Sequence, residues 1–410
     1  MKKNFLALCA LSAIALTGVV SCGSGSEDEK EDNIINISFV PSRDSQDLTE
    51  TASALAKVLN KIVPEYEYKI NVGTSYAAVT EALLSEQADI GFLTASGFAQ
   101  IETTEPGKVD VLMTSVRDGY QVQIDVGNGQ QSEEIRKQQV EAMNSKDYKC
   151  SKDNKTYLGQ QTEGKENQVN FYNSVCFVLS DAERAKLGKP ALDKNKDGKV
   201  TVDELAGTTV ALQGQTSGAG YLYPSFFLNN LKNEANRNVW FGANWNTTIT
   251  NTDYLNKNGM TFVDNGADAS KGQIKGVKSD GGYDAAFQNV MSGQVDAAFG
   301  FMDIRYTQGF NKESSSYYHD EDLWKKTVTV CMTTPIYNDT ISARATLSQA
   351  KKDAIKRAFK GAAADGKKDE KGSGAYLLYN IYSHTGYKDA KASDFASEVE
   401  MYKWKVANGK

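Results

Sequence analysis

The sequence predicts an α/β protein of two similar lobes, each a mainly parallel sheet flanked by helices, facing each other across a cleft. Three observations predict it. First, one stretch occurs twice: YAAVTEALLSEQADIGF from Tyr76 to Phe92, and YDAAFQNVMSGQVDAAF from Tyr283 to Phe299. Laid over each other without a gap, Tyr76 meets Tyr283, Ala78 meets Ala285, Ser85 meets Ser292, Gln87 meets Gln294, Asp89 meets Asp296 and Phe92 meets Phe299. Each copy reads as an amphipathic helix, a polar turn and a short apolar strand beginning at the Asp. Second, strands and helices alternate, the signature of parallel sheets covered by helices. Third, a strand near Thr209 runs into a small-residue loop and then a helix. Two copies are too few for a solenoid. They suit two facing lobes, each presenting a Tyr at a helix start, and ligands favour such clefts. Chance similarity between two common helix–turn–strand units is the competing reading.

The elements follow in order. Ile34 to Pro41 alternates like a strand and ends at a proline. Leu48 to Ile62 has the apolar spacing of an amphipathic helix, and Tyr66 to Val72 is a second strand. The first repeat copy and a strand over Val109 to Ser115 complete a βαβαβ pattern. Asn128 to Asn170 is rich in Gln, Glu, Lys and Asn, and reads as a surface insertion with helix over Glu133 to Met143. Phe171 to Leu179, Thr209 to Gln213, Gly259 to Asp264 and Val295 to Phe301 supply strands of the second lobe. Val328 to Thr333 reads as a return strand to the first lobe. Ser348 caps a helix running to about Ala363. The C-terminal segment, with Tyr376, Tyr379, Tyr382 and Trp404, is expected to pack on the first lobe. The expected boundaries are a leader at 1–21, a tether at 22–33, a first lobe at 34–125 and 331–410, an insertion at 126–170, and a second lobe at 171–330.

A chain of 410 residues has ample core. Its net charge of −6, made more negative by loss of Lys2 and Lys3 with the leader, argues against nucleic acid, which needs a basic face. An anionic ligand would have to be drawn by local donors. Lys2 and Lys3 precede an apolar run from Phe5 to Val20 that is too short for a comfortable membrane span. Small residues then lead into Cys22, the pattern of a signal peptide. It resembles a bacterial lipobox, which implies a lipid on Cys22, a membrane-anchored extracytoplasmic protein, and a flexible charged tether over Gly23 to Asn33. Ordinary secretion with Cys22 as a free thiol is the alternative. No later segment reads as a transmembrane helix. Cys150, Cys176 and Cys331 allow one disulfide and one leftover thiol, in a pairing the sequence leaves open, and their spacing suits no zinc site.

Gln213 to Pro224, QGQTSGAGYLYP, is the ligand loop of this reading. Glycines let the backbone approach a ligand. The helix start offers unpaired N–H groups and partial positive charge, and Thr216 and Ser217 add hydroxyls. A handful of hydrogen bonds to a charged group, about 1.5–3 kcal/mol each, would give micromolar binding. No Gly-Lys-Ser/Thr follows, so this is not a Walker loop. A well-capped helix with nothing bound is the other reading.

At four stretches the chain resembles the solute-binding proteins of phosphonate, phosphite and phosphate ABC importers: Thr74-Ser75-Tyr76-Ala77-Ala78-Val79 with Ala88-Asp89-Ile90, Arg117-Asp118-Gly119-Tyr120, Gly220-Tyr221-Leu222-Tyr223-Pro224, and Pro335-Ile336-Tyr337-Asn338-Asp339. The resemblance runs from about Ile37 to Phe359. It implies a periplasmic-binding-protein type fold with two crossovers at the hinge, a small-molecule ligand, a permease partner and a monomer. Carried over by position, it implies a site of Tyr76, Tyr120, Thr216, Ser217, Gly218, Ala219, Tyr283, Asp303 and Asp339. Ser217, Gly218 and Ala219 fall where the family places hydroxyls, so two of those are missing here. Tyr283 falls where His is frequent, and donates a hydrogen bond without adding charge. Asp303 and Asp339 are implied to hold a cationic end of the ligand. Asn170-Phe171-Tyr172, the insertion and the Tyr-rich C-terminus also resemble the extracytoplasmic thiamine-binding lipoproteins of the same fold. A thiamine phosphate would suit Tyr76, Tyr120, Tyr283, Trp240 and Trp245, although the two Trp residues also suit lobe packing.

Asp193 to Glu204, DKNKDGKVTVDE, matches the calcium-loop pattern. Asp193, Asn195 and Asp197 offer side-chain oxygens, Lys199 its carbonyl, Thr201 a water-mediated contact and Glu204 both carboxylate oxygens, with Gly198 at the sharp turn. Bound Ca2+ would staple this stretch; an Asx-rich surface turn is the alternative. No organic cofactor is expected. An enzyme is the rival class, but the two histidines, His319 and His384, lack motif partners, and no G-x-S-x-G or H-E-x-x-H pattern occurs. A surface adhesin is the remaining rival.

Overall fold

The computed structural model describes residues 32–39, 45–73, 76–126, 131–145, 167–215, 217–231, 241–242, 259–279, 281–311 and 314–409. In the first part of the chain lie strands β1 (Ile34–Phe39), β2 (Glu67–Val72), β3 (Ile90–Leu93), β4 (Val109–Asp118) and the short β5 (Gln168–Val169). Then come β6 (Phe171–Leu179), β7 (Thr209–Leu212), β8 (Phe241–Gly242), β9 (Thr261–Val263), β10 (Gln273–Lys278), β11 (Ala297–Phe301) and β12 (Thr327–Tyr337). Last are β13 (Thr340–Arg344) and β14 (Gly386–Asp389).

These strands sort into two sheets, in the orders β14-β4-β13-β3-β1-β2, with β5 beside β4, and β8-β12-β6-β11-β7-β10-β9. Each has a parallel half, β2-β1-β3 and β9-β10-β7-β11, and an antiparallel half that closes the opposite edge. Among the parallel strands the inner β3 is buried at every position, as expected where a sheet is covered on both faces, whereas the edge strand β2 alternates, with Tyr68 buried between exposed Glu67 and Lys69. One core gathers Ile35, Ile37, Phe39, Leu55, Phe92 and Phe359 in the first lobe. Another gathers Val210, Leu222, Phe227, Ile274 and Phe299 in the second.

The two repeat copies build the same unit twice. Helix Tyr76–Leu84 leads into β3, and helix Gly282–Met291 leads into β11. The shared aspartates do the same work. Asp89 accepts from the backbone N–H of Asn36 at 2.8 Å, on the neighbouring strand β1. Asp296 accepts from the N–H of Thr209 at 2.9 Å, on the neighbouring strand β7. Each is then neutralised by an arginine at 2.9 Å, Arg344 for Asp89 and Arg184 for Asp296. The repeat therefore records a lock between adjacent parallel strands.

Three expectations are corrected. The stretch 328–333 does not return to the first lobe: it lies in β12, paired antiparallel with β6 in the second sheet, and the crossing falls at Asn338–Asp339 instead of at residue 331. Strand character alone does not say which sheet an antiparallel strand joins. The described part of the 126–170 segment is not a loose surface insertion. Ser132 caps helix Glu133–Met143, which packs on β12 with Arg136, Gln139, Val140 and Met143 buried. Its end returns as β5 to pair with β4. The C-terminal helix Ala396–Ala407 does not pack on the first lobe alone. It lies against helix Ala95–Thr104 there and also against helix Tyr223–Asn229 of the second. Cys22, Cys150, Thr216, Trp240 and Trp245, and the whole leader, lie outside the described residues.

Candidate functional site

Strand β7 ends at Leu212, and after the loop a π-helical turn, Gly218–Leu222, opens into helix Tyr223–Asn229, with Pro224 in its first turn. Ser217 caps this turn: its Oγ accepts from the N–H of Gly220 at 3.1 Å. That oxygen also lies 2.9 Å from Tyr283 Oη, at the start of the second repeat helix. Loop and repeat therefore meet through a direct hydrogen bond. Glycine is required at 220, where a Cβ would stand 2.1 Å from Gln213 Cγ.

Gly218 is where the other lobe arrives. A Cβ there would stand 3.2 Å from Tyr172 Oη, 3.4 Å from Ile336 Cγ2 and 3.5 Å from Ser96 Oγ. Ser96 belongs to the first lobe, in the first turn of helix Ala95–Thr104, which Thr94 caps. Tyr172 and Ile336 belong to the strands that enter and leave the second lobe. Ala219 is fully buried, and its carbonyl accepts from Ser174 Oγ at 2.6 Å, so it supports the turn from behind.

The tyrosines at the site are neutral hydroxyls. Burial pushes the Tyr283 hydroxyl up, against the opposing pull of Ser217 and the Gly220 amide. Burial pushes Tyr172 well up too, helped by Tyr283 and Asp339. Tyr120 is raised by burial and by Tyr306, against whose ring it packs edge-on at 6.0 Å. Tyr76 is placed as the first residue of its helix, and its side chain lies outside the description.

The two acids stand elsewhere in the chemistry. Asp303 is buried, and its two oxygens accept from Arg305 Nε at 2.8 Å and Nη2 at 2.9 Å. Asp339 Oδ2 accepts from Arg117 at 2.5 Å and lies 3.2 Å from His384 Nε2. Burial alone would raise the Asp339 carboxyl, but Arg117 and His384 bring it below the usual range. At both positions protein cations occupy the place expected for a ligand's cationic end, because a buried carboxylate must be paired to fold. Sequence reasoning missed Ser96, Tyr172 as a cleft residue, and Arg117. For Ser96 a signal was present: Thr94-Ala95-Ser96-Gly97 opens a helix directly after a parallel strand.

In the Asp193–Glu204 loop, the carboxylates bond the loop's own backbone. Asp193 Oδ2 accepts from Gly198 N at 2.8 Å, Asp197 Oδ1 from Lys199 N at 2.9 Å, and the Glu204 oxygens from Lys194 N and Thr201 N at 2.8 Å each. Gly198 takes the left-handed conformation, φ +84°. Among the described residues, no three His, Cys, Asp or Glu side chains are drawn together as a metal-holding group.

A family model described as "ABC transporter, phosphonate, periplasmic substrate-binding protein" matches residues 37–395. The chain belongs to this family. Members are the extracytoplasmic receptors of ABC importers, which take small-molecule ligands and work with a membrane permease. Among the described residues no helix is long and apolar enough to cross a membrane. XAC2383 from Xanthomonas citri, bound to ATP, is similar at 12% identity and a TM-score of 0.51, with 90% of this chain and 98% of that one covered. Mh-p37 of Mycoplasma hyorhinis, proposed to be a thiamine pyrophosphate transporter, is similar at 14% identity and a TM-score of 0.51, covering 91% and 98%. PhnD1 from Prochlorococcus marinus, in complex with methylphosphonate, aligns at 13% identity and a TM-score of 0.48, covering 90% and 97%. At such identities the likeness to the first two is one of fold. No curated protein matches the chain.

Proposed function

We propose that this phosphonate-family receptor closes its lobes over a small phosphorus-containing anion seated at the Gly218 turn. The observation that carries this reading is the Ser217–Tyr283 hydrogen bond with Gly218 facing Ser96 across the lobes. The site offers hydroxyls and helix-start amides, which suit an anion whose charge the acidic protein as a whole does not attract. Arg117 supplies positive charge nearby, shared with Asp339. The thiamine phosphate alternative is favoured by one feature, the presence of two tyrosines, Tyr172 and Tyr283, whose hydroxyls both reach the turn, since aromatic side chains suit a ring cation. Calorimetric titration with methylphosphonate, phosphate, thiamine and thiamine pyrophosphate decides between them. Binding of none, or turnover of any, would defeat the receptor reading. Ser217→Val should weaken the binding anion about tenfold or more, the loss of one hydrogen bond to a charged group; unchanged affinity would remove Ser217 from the site.

Three further features belong to the same proposal. Cys22 carries the lipid that tethers the receptor, which mass spectrometry of the detergent-extracted protein tests. The protein is a monomer, which light scattering tests. The Asp193–Glu204 loop takes calcium, supported by its donor order and the Gly198 turn; binding has to draw donors away from the loop's own amides.

A further inference from the structure

Cys176 and Cys331 form a pair that neither the cleft nor the family accounts for. Cys176 lies in β6 and Cys331 in β12, and the two are direct partners in the antiparallel register. The pairing depends on an irregularity. β12 follows β6 in step through Thr327–Leu179, Val328–Val178 and Thr329–Phe177, and then shifts by one residue. Without the shift Val330 would stand opposite Cys176; with it, Cys331 does. Directly opposed residues of an antiparallel pair have Cα atoms about 4.5–5.5 Å apart and share a face of the sheet. Disulfides span Cα separations of about 4.4–6.8 Å. Both thiols are free and fully buried.

We propose that Cys176 and Cys331 are joined by a disulfide in the secreted protein. The proposal rests on the extracytoplasmic placement of the family, where disulfides form and persist. Burial, and next the hydrogen bond that Cys176 donates to Cys331, hold the proton on Cys176. Cys176 in the folded protein is therefore a poor partner in exchange, which needs a thiolate, and the bond forms before the strands close. The oxidant is a protein or small-molecule disulfide of that compartment. One cysteine thiolate attacks it and gives a mixed disulfide. The second thiolate displaces the carrier sulfur, so two S–H bonds are replaced by one S–S bond, and the oxidant is reduced to a dithiol if it is a protein disulfide or to two thiols if it is a small molecule. β6 begins just after the chain leaves β5 on the first-lobe sheet, and β12 ends just before the chain crosses to β13. The bond thus fastens together the two strands that carry the second lobe on the hinge.

The test uses the full chain exported by a bacterial host and blocked with iodoacetamide during lysis. The protein is unfolded without reductant, alkylated again and mapped by peptide mass spectrometry. The expected result is a linked pair of peptides carrying Cys176 and Cys331, lacking two hydrogens against their sum. Carbamidomethyl groups on both cysteines in the unreduced sample would overturn the proposal, as would a bond from either one to Cys150. For the stapling role, wild-type protein refolded under reductant should melt several degrees lower than the oxidised form. Cys331→Ala protein should melt at one temperature with or without reductant. Equal melting of oxidised and reduced wild type would overturn the staple even where the bond is found.

Discussion

Gly218 carries more of the proposed function than any charged residue of the chain. Its missing side chain lets Tyr172 from the hinge and Ser96 from the other lobe approach one backbone position. Gly218→Ala would put a methyl group 3.2 Å from a buried tyrosine hydroxyl, and overpacking of this kind costs about 1–3 kcal/mol. We expect ligand affinity to fall tenfold or more together with a drop of a few degrees in melting temperature, read by calorimetric titration beside a thermal scan; the same drop with unchanged affinity would make the glycine purely structural. Asp303 belongs to the opposite category. Asp303→Ala takes the carboxylate from the fully buried Arg305, which keeps its bonds to Thr327 and Thr329, and breaking a buried ion pair in this way costs about 3–5 kcal/mol. Denaturant titration should show that loss for every ligand state alike.

Among elements, the repeat unit makes the clearest demand. Burial would raise the Asp296 carboxyl, but Lys189, Thr209 and Arg184 hold it at about 2. The folded protein therefore keeps this group ionised where the unfolded chain takes up a proton. Its contribution is present in full above the ordinary carboxylate range, near pH 4, and is lost as the pH falls towards 2. The depression corresponds to about 2 kcal/mol. Asp296→Asn should remove that share of the acid dependence, seen in denaturation midpoints between pH 5 and 2; an unchanged profile would show that the strand lock is not electrostatic. The calcium loop is a second element with its own test. Millimolar calcium should raise the melting temperature and EDTA reverse it, with both effects gone in Glu204→Gln; no shift in wild type would leave the stretch an Asx-rich turn.

At the scale of the whole molecule, the C-terminal helix decides how the lobes are held. Glu398 is fully buried and accepts from Tyr223 Oη at 2.6 Å and from the N–H of Tyr337 at 3.4 Å. Lys405 Nζ donates to the carbonyl of Gln215, in the ligand loop, at 3.1 Å. Phe226 packs edge-on against Trp404 at 5.3 Å, and Phe98 of the first lobe against Phe395 at 5.6 Å. One helix thus touches the first lobe, the hinge strand and the ligand loop. Tyr223→Phe should cost about 1–3 kcal/mol of stability by leaving a buried carboxylate short of a donor. Equilibrium unfolding would show it, and a neutral result would mean that Glu398 finds another donor.

The sequence by itself determined the class of the fold, because periodicity and turn residues are local. Helix Glu133–Met143, strand Phe171–Leu179 and the cap at Ser348 are all read from neighbours within a few positions. The repeat and the ordered motifs reached further, to two matched lobes and the receptor family. Only the tertiary structure decided which sheet β12 joins, that Asp303 and Asp339 answer to arginines, that Ser96 and Tyr172 meet at Gly218, and which cysteines face each other. Those are pairings between residues far apart in the chain, and no local pattern records a partner that folding brings from elsewhere.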